Sequence, residues 1–356
     1  MSKRVLLAAL ACLLVFALGG APVKSAKKSA KPAKTKVVAK AKAPKTRPSA
    51  PAAPVQSQYR KSPYVGAISY DATTGQVLFE DNADAKAYPA SVTKLMTLLL
   101  VMEDVRAGKY ALADLATATA DVRYSEPSWV GIREGEKMSV RDLCMALMVS
   151  SANDAAIVLG VHSAGSLTGF VERMNARAAA IGMTHTTYCN PNGLPPTSSK
   201  GRSYPWKSFN STTARDQLLL AKELVLKHPE IFEFTSVKTC DLVKMADGRY
   251  RTSVTRRKNE PLKETQLAEG EETVLQLRNH NNIMRTDKLK IINPDGTEAV
   301  DGLKTGYIDA GGSSIVLTGV RGKKRAIVVV LGSASAKERD ANARRMLVDA
   351  LGALAM

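Results

Sequence analysis

The apolar pattern begins near Tyr64, and everything before it is polar or of low complexity apart from the first few turns' worth of residues. Val65, Ala67 and Ser69 alternate with their neighbours, a turn follows at Asp71-Ala72-Thr73-Thr74-Gly75, and Gln76 to Glu80 returns. That pattern predicts a β-hairpin. An apolar run follows Ser91 and Lys94, through Leu98, Leu99, Leu100, Val101, Met102 and Val105, and stops at Gly108. It predicts a helix ended by glycine, apolar nearly all round and therefore buried and central. Ser139 with Asp142 forms a capping box for a helix over Val140 to Val149, which breaks at Ser150-Ser151. Asn153-Asp154 opens the next helix, read as ending at Gly160, and an amphipathic helix over Thr168 to Ile181 closes at Gly182. Asn190-Pro191-Asn192-Gly193 is a turn, and Thr213-Ala214-Arg215-Asp216 caps a helix ended by His228-Pro229. Residues 235–300 are polar, with short strand-like pieces such as Val274 to Leu277. Ser314 to Val320 and Ala326 to Leu331 flank Arg321-Gly322-Lys323-Lys324 as a hairpin, and Lys337 to Leu351 is a final helix. Strands at both ends with helices between predict an α/β layered domain plus a helical subdomain.

Charge changes the picture of the N-terminal part. The net charge of +18 suggests a nucleic-acid partner until it is located. Residues 1–62 hold fourteen Lys and Arg and no acidic residue, which leaves 37 basic against 33 acidic residues beyond them. The excess belongs to a tail, and a nucleic-acid partner is not expected. Residues 1–22 read as an export signal: Lys3 and Arg4, an apolar run from Val5 to Leu18, then Gly19, Gly20 and Ala21. An uncleaved membrane anchor is the alternative. Residues 23–62 read as a disordered Lys/Ala/Pro-rich linker, either a solvated spacer or a segment drawn to the cell wall or an anionic membrane. Residues 63–356 form the expected folded domain. Cys144, Cys189 and Cys240 are too few and of the wrong parity for a disulfide framework, and Cys144 fits a buried apolar position. No Cys-x-x-Cys, His-Glu-x-x-His or glycine-rich phosphate loop occurs, so the sequence calls for no metal and no nucleotide cofactor.

The candidate chemistry starts at Pro89-Ala90-Ser91-Val92-Thr93-Lys94. Spacing i, i+3 puts Ser91 and Lys94 on one face of a helical turn. A serine hydroxyl needs a base to become a nucleophile, and a lysine is that base only when neutral. Burial, a nearby cation and the positive end of a helix all depress a lysine pKa. A capping serine and a snorkelling lysine would give the same pair by chance. Two further pieces sit at element boundaries in fixed order: Ser151-Ala152-Asn153 and Lys304-Thr305-Gly306.

Together with Ser91-x-x-Lys94, that order resembles the low-molecular-mass penicillin-binding proteins, specifically the D-alanyl-D-alanine carboxypeptidases. The resemblance covers roughly residues 63–356 and extends to Asn190-Pro191-Asn192-Gly193-Leu194, Thr213-Ala214-Arg215-Asp216 and Asp301-Gly302-Leu303 with Tyr307. It implies a penicillin-binding/β-lactamase-like serine peptidase fold, mostly antiparallel sheet flanked by helices. Its implied activity is D-Ala-D-Ala carboxypeptidase action on peptidoglycan stem peptides, without a cofactor, outside the cytoplasmic membrane. β-Lactam antibiotics would be covalent inhibitors. The implied roles are nucleophile for Ser91, general base for Lys94, proton relay for Ser151, and a bond to substrate and Lys94 for Asn153. Lys304 and Thr305 would receive the substrate carboxylate, and Gly306 would let substrate lie close. The backbone N–H groups of Ser91 and Tyr307 would form the oxyanion hole. Arg339 would lie behind Lys304 as a carboxylate clamp, or else pair with Glu338 or Asp340 on the helix surface.

The sequence departs from the family at three places. Asn210 and Ser211 stand where many members carry His before Thr-Ala-Arg-Asp, and Thr197 to Asn210 is longer than usual. The β-rich second domain and amphipathic anchor helix of many carboxypeptidases do not follow the last predicted helix, an ending that favours a D,D-endopeptidase as the alternative. A β-lactamase is disfavoured, because no Glu-x-x-Leu-Asn run lies between Asn153 and Lys304. A non-catalytic wall-binding protein is the remaining reading.

Overall fold

The computed structural model describes residues 63–198, 200–245, 249–253 and 271–352. The expected export signal and basic linker lie outside the described residues.

Residues from both ends of the folded region build one five-stranded antiparallel sheet. Strand β1 (Gly66–Asp71) and β2 (Gln76–Asp81) form the first hairpin, and β9 (Gly312–Arg321) and β10 (Lys324–Ser333) form the second. β1 pairs with β10, and β8 (Val300–Ile308) adds to β9, giving the order β2-β1-β10-β9-β8. β8 is therefore an edge strand. Ile327, Val329 and Leu331 point into one core while Ala326, Val328 and Val330 point into another, as the two-residue period of a strand buried on both faces requires.

The second core is covered by the last helix, α8 (Ala336–Ala350), through Ala343, Met346 and Leu347. The first holds α1 (Lys94–Arg106), buried from Lys94 to Met102 with no polar stripe. Around α1 pack α2 (Val140–Val149), α3 (Asn153–Ala164), α4 (Leu167–Ala180) and α5 (Ala214–Lys227), and two single-turn helices, α6 (Phe232–Thr235) and α7 (Asn282–Arg285), precede α8. The local signals work as expected. Ser139 Oγ accepts from the Asp142 amide at 3.1 Å, and Thr213 Oγ1 accepts from the Asp216 amide at 3.1 Å.

One expectation needs correction. The helix opened by Asn153 does not end at Gly160 but at Gly165, whose φ of +75° suits a glycine cap. Gly160 instead allows close packing, since a Cβ there would stand 3.0 Å from the Phe170 ring. The strand-like pieces read in residues 235–300 are strands, and three of them join two earlier strands in a second sheet, of five strands among the described residues. Its order is β3 (Leu115–Thr117), β4 (Lys137–Ser139), β6 (Arg249–Ser253), β5 (Thr239–Met245), β7 (Glu271–Arg278), with β4 and β6 parallel. Cys144, Cys189 and Cys240 are free thiols.

Candidate active site

Ser91 sits in a 3-10 turn, Ala90–Thr93, that leads straight into α1 at Lys94. In such a turn residues three apart eclipse, which puts the two side chains together. Lys94 is fully buried, and its Nζ lies 2.9 Å from Ser91 Oγ, 2.7 Å from Asn153 Oδ1 and 2.8 Å from the Asn192 carbonyl oxygen. Burial, and then the charge of Lys304, hold Lys94 well below the usual lysine range, while Asp154 works in the opposite direction. The coordination suits the neutral amine. Two N–H bonds can go to the two carbonyl oxygens, and the lone pair is left for the serine hydroxyl.

Asn153 is the first residue of α3. Its side chain is fixed at both ends, by Lys94 on Oδ1 and by the Ser125 carbonyl, which accepts from Nδ2 at 2.7 Å. The Ser128 carbonyl accepts from the Asn153 amide at 2.7 Å. Asp154 is buried and accepts from the amides of Val130, Gly131 and Ile132 at 3.0 Å each. Ser151 is buried between α2 and α3 with φ +61°, a backbone setting that is uncommon outside glycine and concentrates at functional sites.

The edge strand β8 forms the facing wall. Gly306 packs so tightly on the serine turn that a Cβ would stand 2.5 Å from the Pro89 carbonyl oxygen and 3.1 Å from Ser91 N. Thr305 and Lys304 are buried, and the Lys304 ammonium donates to the Thr305 carbonyl at 3.0 Å. Burial, and after it the charge of Arg339, push Lys304 down to about 7. The Tyr307 side chain is 61% exposed and its hydroxyl donates to Asp309 at 2.8 Å.

A family model described as D-alanyl-D-alanine carboxypeptidase matches residues 57–335. The chain belongs to this family. It is similar to D-alanyl-D-alanine carboxypeptidase DacF of Bacillus subtilis, with 29% identity over 281 residues, 79% of this chain and 60% of that one. A D-alanyl-D-alanine endopeptidase of Pseudomonas aeruginosa is 34% identical over 157 residues, 44% of this chain and 46% of that one. Among solved structures, ampicillin-bound penicillin-binding protein D2 of Listeria monocytogenes superposes with a TM-score of 0.60 at 28% identity, covering 82% of this chain and 98% of that one. The chain spans about three fifths of the length of the first curated relatives it matches, 60%, 64% and 61%.

Within this family member, Arg339 is buried at the start of α8. Its Nε and Nη2 donate to Asp340 Oδ1 at 2.8 and 2.7 Å, and Asp340 Oδ2 accepts from Asn282 at 3.0 Å. The Asp340 pairing weighed from sequence is present, but inside the protein and close enough to Lys304 to depress it. Several residues escaped the sequence reading. Asn192 serves the site through its backbone carbonyl, and Asn210 clamps the Asn190–Gly193 turn. Asn210 Nδ2 donates to Thr93 Oγ1 at 2.9 Å and to the Asn190 carbonyl at 3.0 Å, and its Oδ1 accepts from the Cys189 amide at 2.6 Å. The departure at position 210 was the one sequence signal for this clamp. At His280, burial and the charges of Lys304, Lys94, Arg285 and Arg339 push the imidazole down to about 4, so it is neutral at pH 7.

Proposed function

We propose that this chain is a serine-type D-Ala-D-Ala carboxypeptidase that acts on peptidoglycan stem peptides through an acyl-enzyme. The contact of 2.9 Å between a serine hydroxyl and a fully buried lysine carries this reading. Lys94 takes the Ser91 proton as Ser91 Oγ attacks the carbonyl of the penultimate D-alanine. The oxyanion is met by the backbone N–H groups of Ser91 and Tyr307. Ser151 passes a proton to the amine of the departing D-alanine, and Asn153 keeps Lys94 oriented and bonds the substrate amide. Lys304, Thr305 and Arg339 receive the terminal carboxylate, and Gly306 lets the chain lie against β8. Water then hydrolyses the ester. A β-lactam carries a comparable carboxylate and acyl carbonyl, so it acylates the same serine.

A peptidoglycan substrate lies outside the cytoplasmic membrane, in keeping with an export signal at residues 1–22. The twelve cations of residues 23–62 then favour contact with the wall or an anionic membrane. The similarity to the Pseudomonas endopeptidase favours a second reading, cleavage of D,D-cross-links by the same residues. Labelled penicillin tests the nucleophile: the adduct must map to Ser91 by mass spectrometry, and a label elsewhere, or none, sinks the proposal. Products from linear and cross-linked muropeptides then decide between the two activities.

A further inference from the structure

Lys94 Nζ donates to two acceptors that depend on chain segments far apart in sequence. One is Asn153 Oδ1, whose side chain is aimed by the Ser125 carbonyl behind it, and the other is the Asn192 carbonyl. Two residues of the long Thr197 to Asn210 segment, Tyr204 and Trp206, reach both of these chain segments. Tyr204 donates its hydroxyl to the Glu126 carbonyl at 2.8 Å, one residue beyond Ser125. Trp206 donates its indole N–H to the Pro195 carbonyl at 2.8 Å. Pro195 directly follows Leu194, whose carbonyl closes the turn by accepting from Asn190 Nδ2 at 3.0 Å. The two rings stack on each other, with 4.9 Å between centroids and 4° between planes. Each residue is 8% exposed, and Leu194 packs with them. Tyr124, one residue before Ser125, meets Trp206 edge-on at 6.4 Å.

The stacked pair therefore joins the segment behind Asn153 to the turn that carries the Asn192 carbonyl. Planar rings in contact have few rotatable bonds, and each buried polar tip needs its partner, so the joint is stiff. The same two regions are also linked by an ion pair, Arg202 to Glu126 at 2.9 Å, but its side chains are 47% and 44% exposed, and such a pair contributes little. The hydroxyl of Tyr204 and the indole N–H of Trp206 are spent on the two carbonyls, so neither ring takes part in a proton transfer. We infer that Tyr204 and Trp206 are positioning residues, a cross-brace that fixes the two acceptors of Lys94 relative to each other. The brace thereby holds Lys94 Nζ at 2.9 Å from Ser91 Oγ. This role rests on the activity proposed above, and it gives the long Thr197 to Asn210 segment a task in the reaction.

Acylation kinetics test the brace. Tyr204→Phe and Trp206→Phe each delete one donor and keep a ring that can stack. Either change slows the first-order acylation of Ser91 by saturating penicillin by about tenfold, a part of the about 10²-fold that a misplacement of about 1 Å can cost. The penicillin concentration at half-saturation changes less than twofold, because the carboxylate site on β8 is untouched. The double variant is at most twofold slower than either single one, since a brace released at one end is already lost. Single effects that multiply in the double variant overturn the brace. So does a lower melting temperature with acylation within twofold of the unaltered protein, which would make the pair a packing element only and leave the activity standing. Absence of any label on Ser91 of the unaltered protein overturns the activity and the brace together.

Discussion

Gly193 lies directly against Ala90: a Cβ on Gly193 would stand 1.8 Å from the Ala90 carbonyl oxygen and 3.0 Å from Ser91 N. The residue before Gly193 supplies the carbonyl that accepts from Lys94, so one turn sets both the nucleophile's backbone and the orientation of its base. Gly193 also has φ +88°, which an L-residue adopts only under strain. Gly193→Ala must therefore push the serine turn away from Lys94. A misplacement of about 1 Å can cost about 10²-fold in rate. The expected result is acylation by fluorescent penicillin slowed by roughly that factor, with a lower melting temperature. Acylation within twofold of the unaltered enzyme would show that the serine turn tolerates the shift.

Lys94→Ala removes the amine that bridges Ser91, Asn153 and Asn192. General-base help is typically worth ~10²–10⁴-fold, and acylation should slow by that order while circular dichroism remains native-like. An unchanged rate would take Lys94 out of the mechanism.

The parts of the fold that sequence made legible are those with local causes. Ser139 and Asp142, or Thr213 and Asp216, announce a helix start because the capping bond spans three residues. The second sheet had no such signal. Its β4–β6 contact pairs Lys137 with Arg249, in parallel, across more than a hundred residues. Glycine was ambiguous for a physical reason: Gly165 ends α3 through its φ, while Gly160 has the same letter and serves packing against Phe170. In the site, Ser91, Lys94 and Asn153 were legible because side-chain chemistry requires those residue types. The carbonyls of Ser125, Ser128 and Asn192 were not, because a backbone acceptor places no demand on the side chain it comes from.

Lys304 gives the pH dependence a definite sign. Its folded pKa of about 7 lies below that of an unfolded lysine, ~10.4. Below about 7 it is cationic and can hold a carboxylate, and above that it progressively loses its charge. The second-order rate of penicillin acylation should therefore fall on its alkaline side near pH 7, and Lys304→Arg should move that limb upward, since a guanidinium stays charged. The stability effect runs the other way. Between the folded and unfolded values the unfolded chain binds more protons, so stability rises as pH rises from about 7 towards about 10. Urea midpoints at pH 7 and 9.5 check this. The rise should be smaller in Lys304→Met, and an identical rise would exclude Lys304 as its source.

Arg339 is the assignment on which structure and chemistry pull hardest against each other. Its Nε and one terminal nitrogen are engaged by Asp340, and the pair is buried, with Arg339 only 5% exposed. A guanidinium has further N–H groups to offer a carboxylate, and its charge already reaches Lys304. Arg339→Ala should have three separable effects. Leaving Asp340 buried with Asn282 as its remaining partner should cost roughly 3–5 kcal/mol in unfolding free energy. Removing the cation should raise the Lys304 pKa, so the alkaline limb of acylation moves to higher pH. Losing a charged hydrogen bond to substrate, worth ~1.5–3 kcal/mol, should lower kcat/KM for D-Ala-D-Ala peptides by about tenfold or more, and slow penicillin acylation as well. Arg339→Lys keeps the charge and loses the two-pronged geometry, so it should hold the limb near its original place while recovering little of the peptide rate. Should both rates stay within twofold of the unaltered enzyme while stability drops, Arg339 serves only to tie α8 to Asn282 and takes no part in substrate recognition.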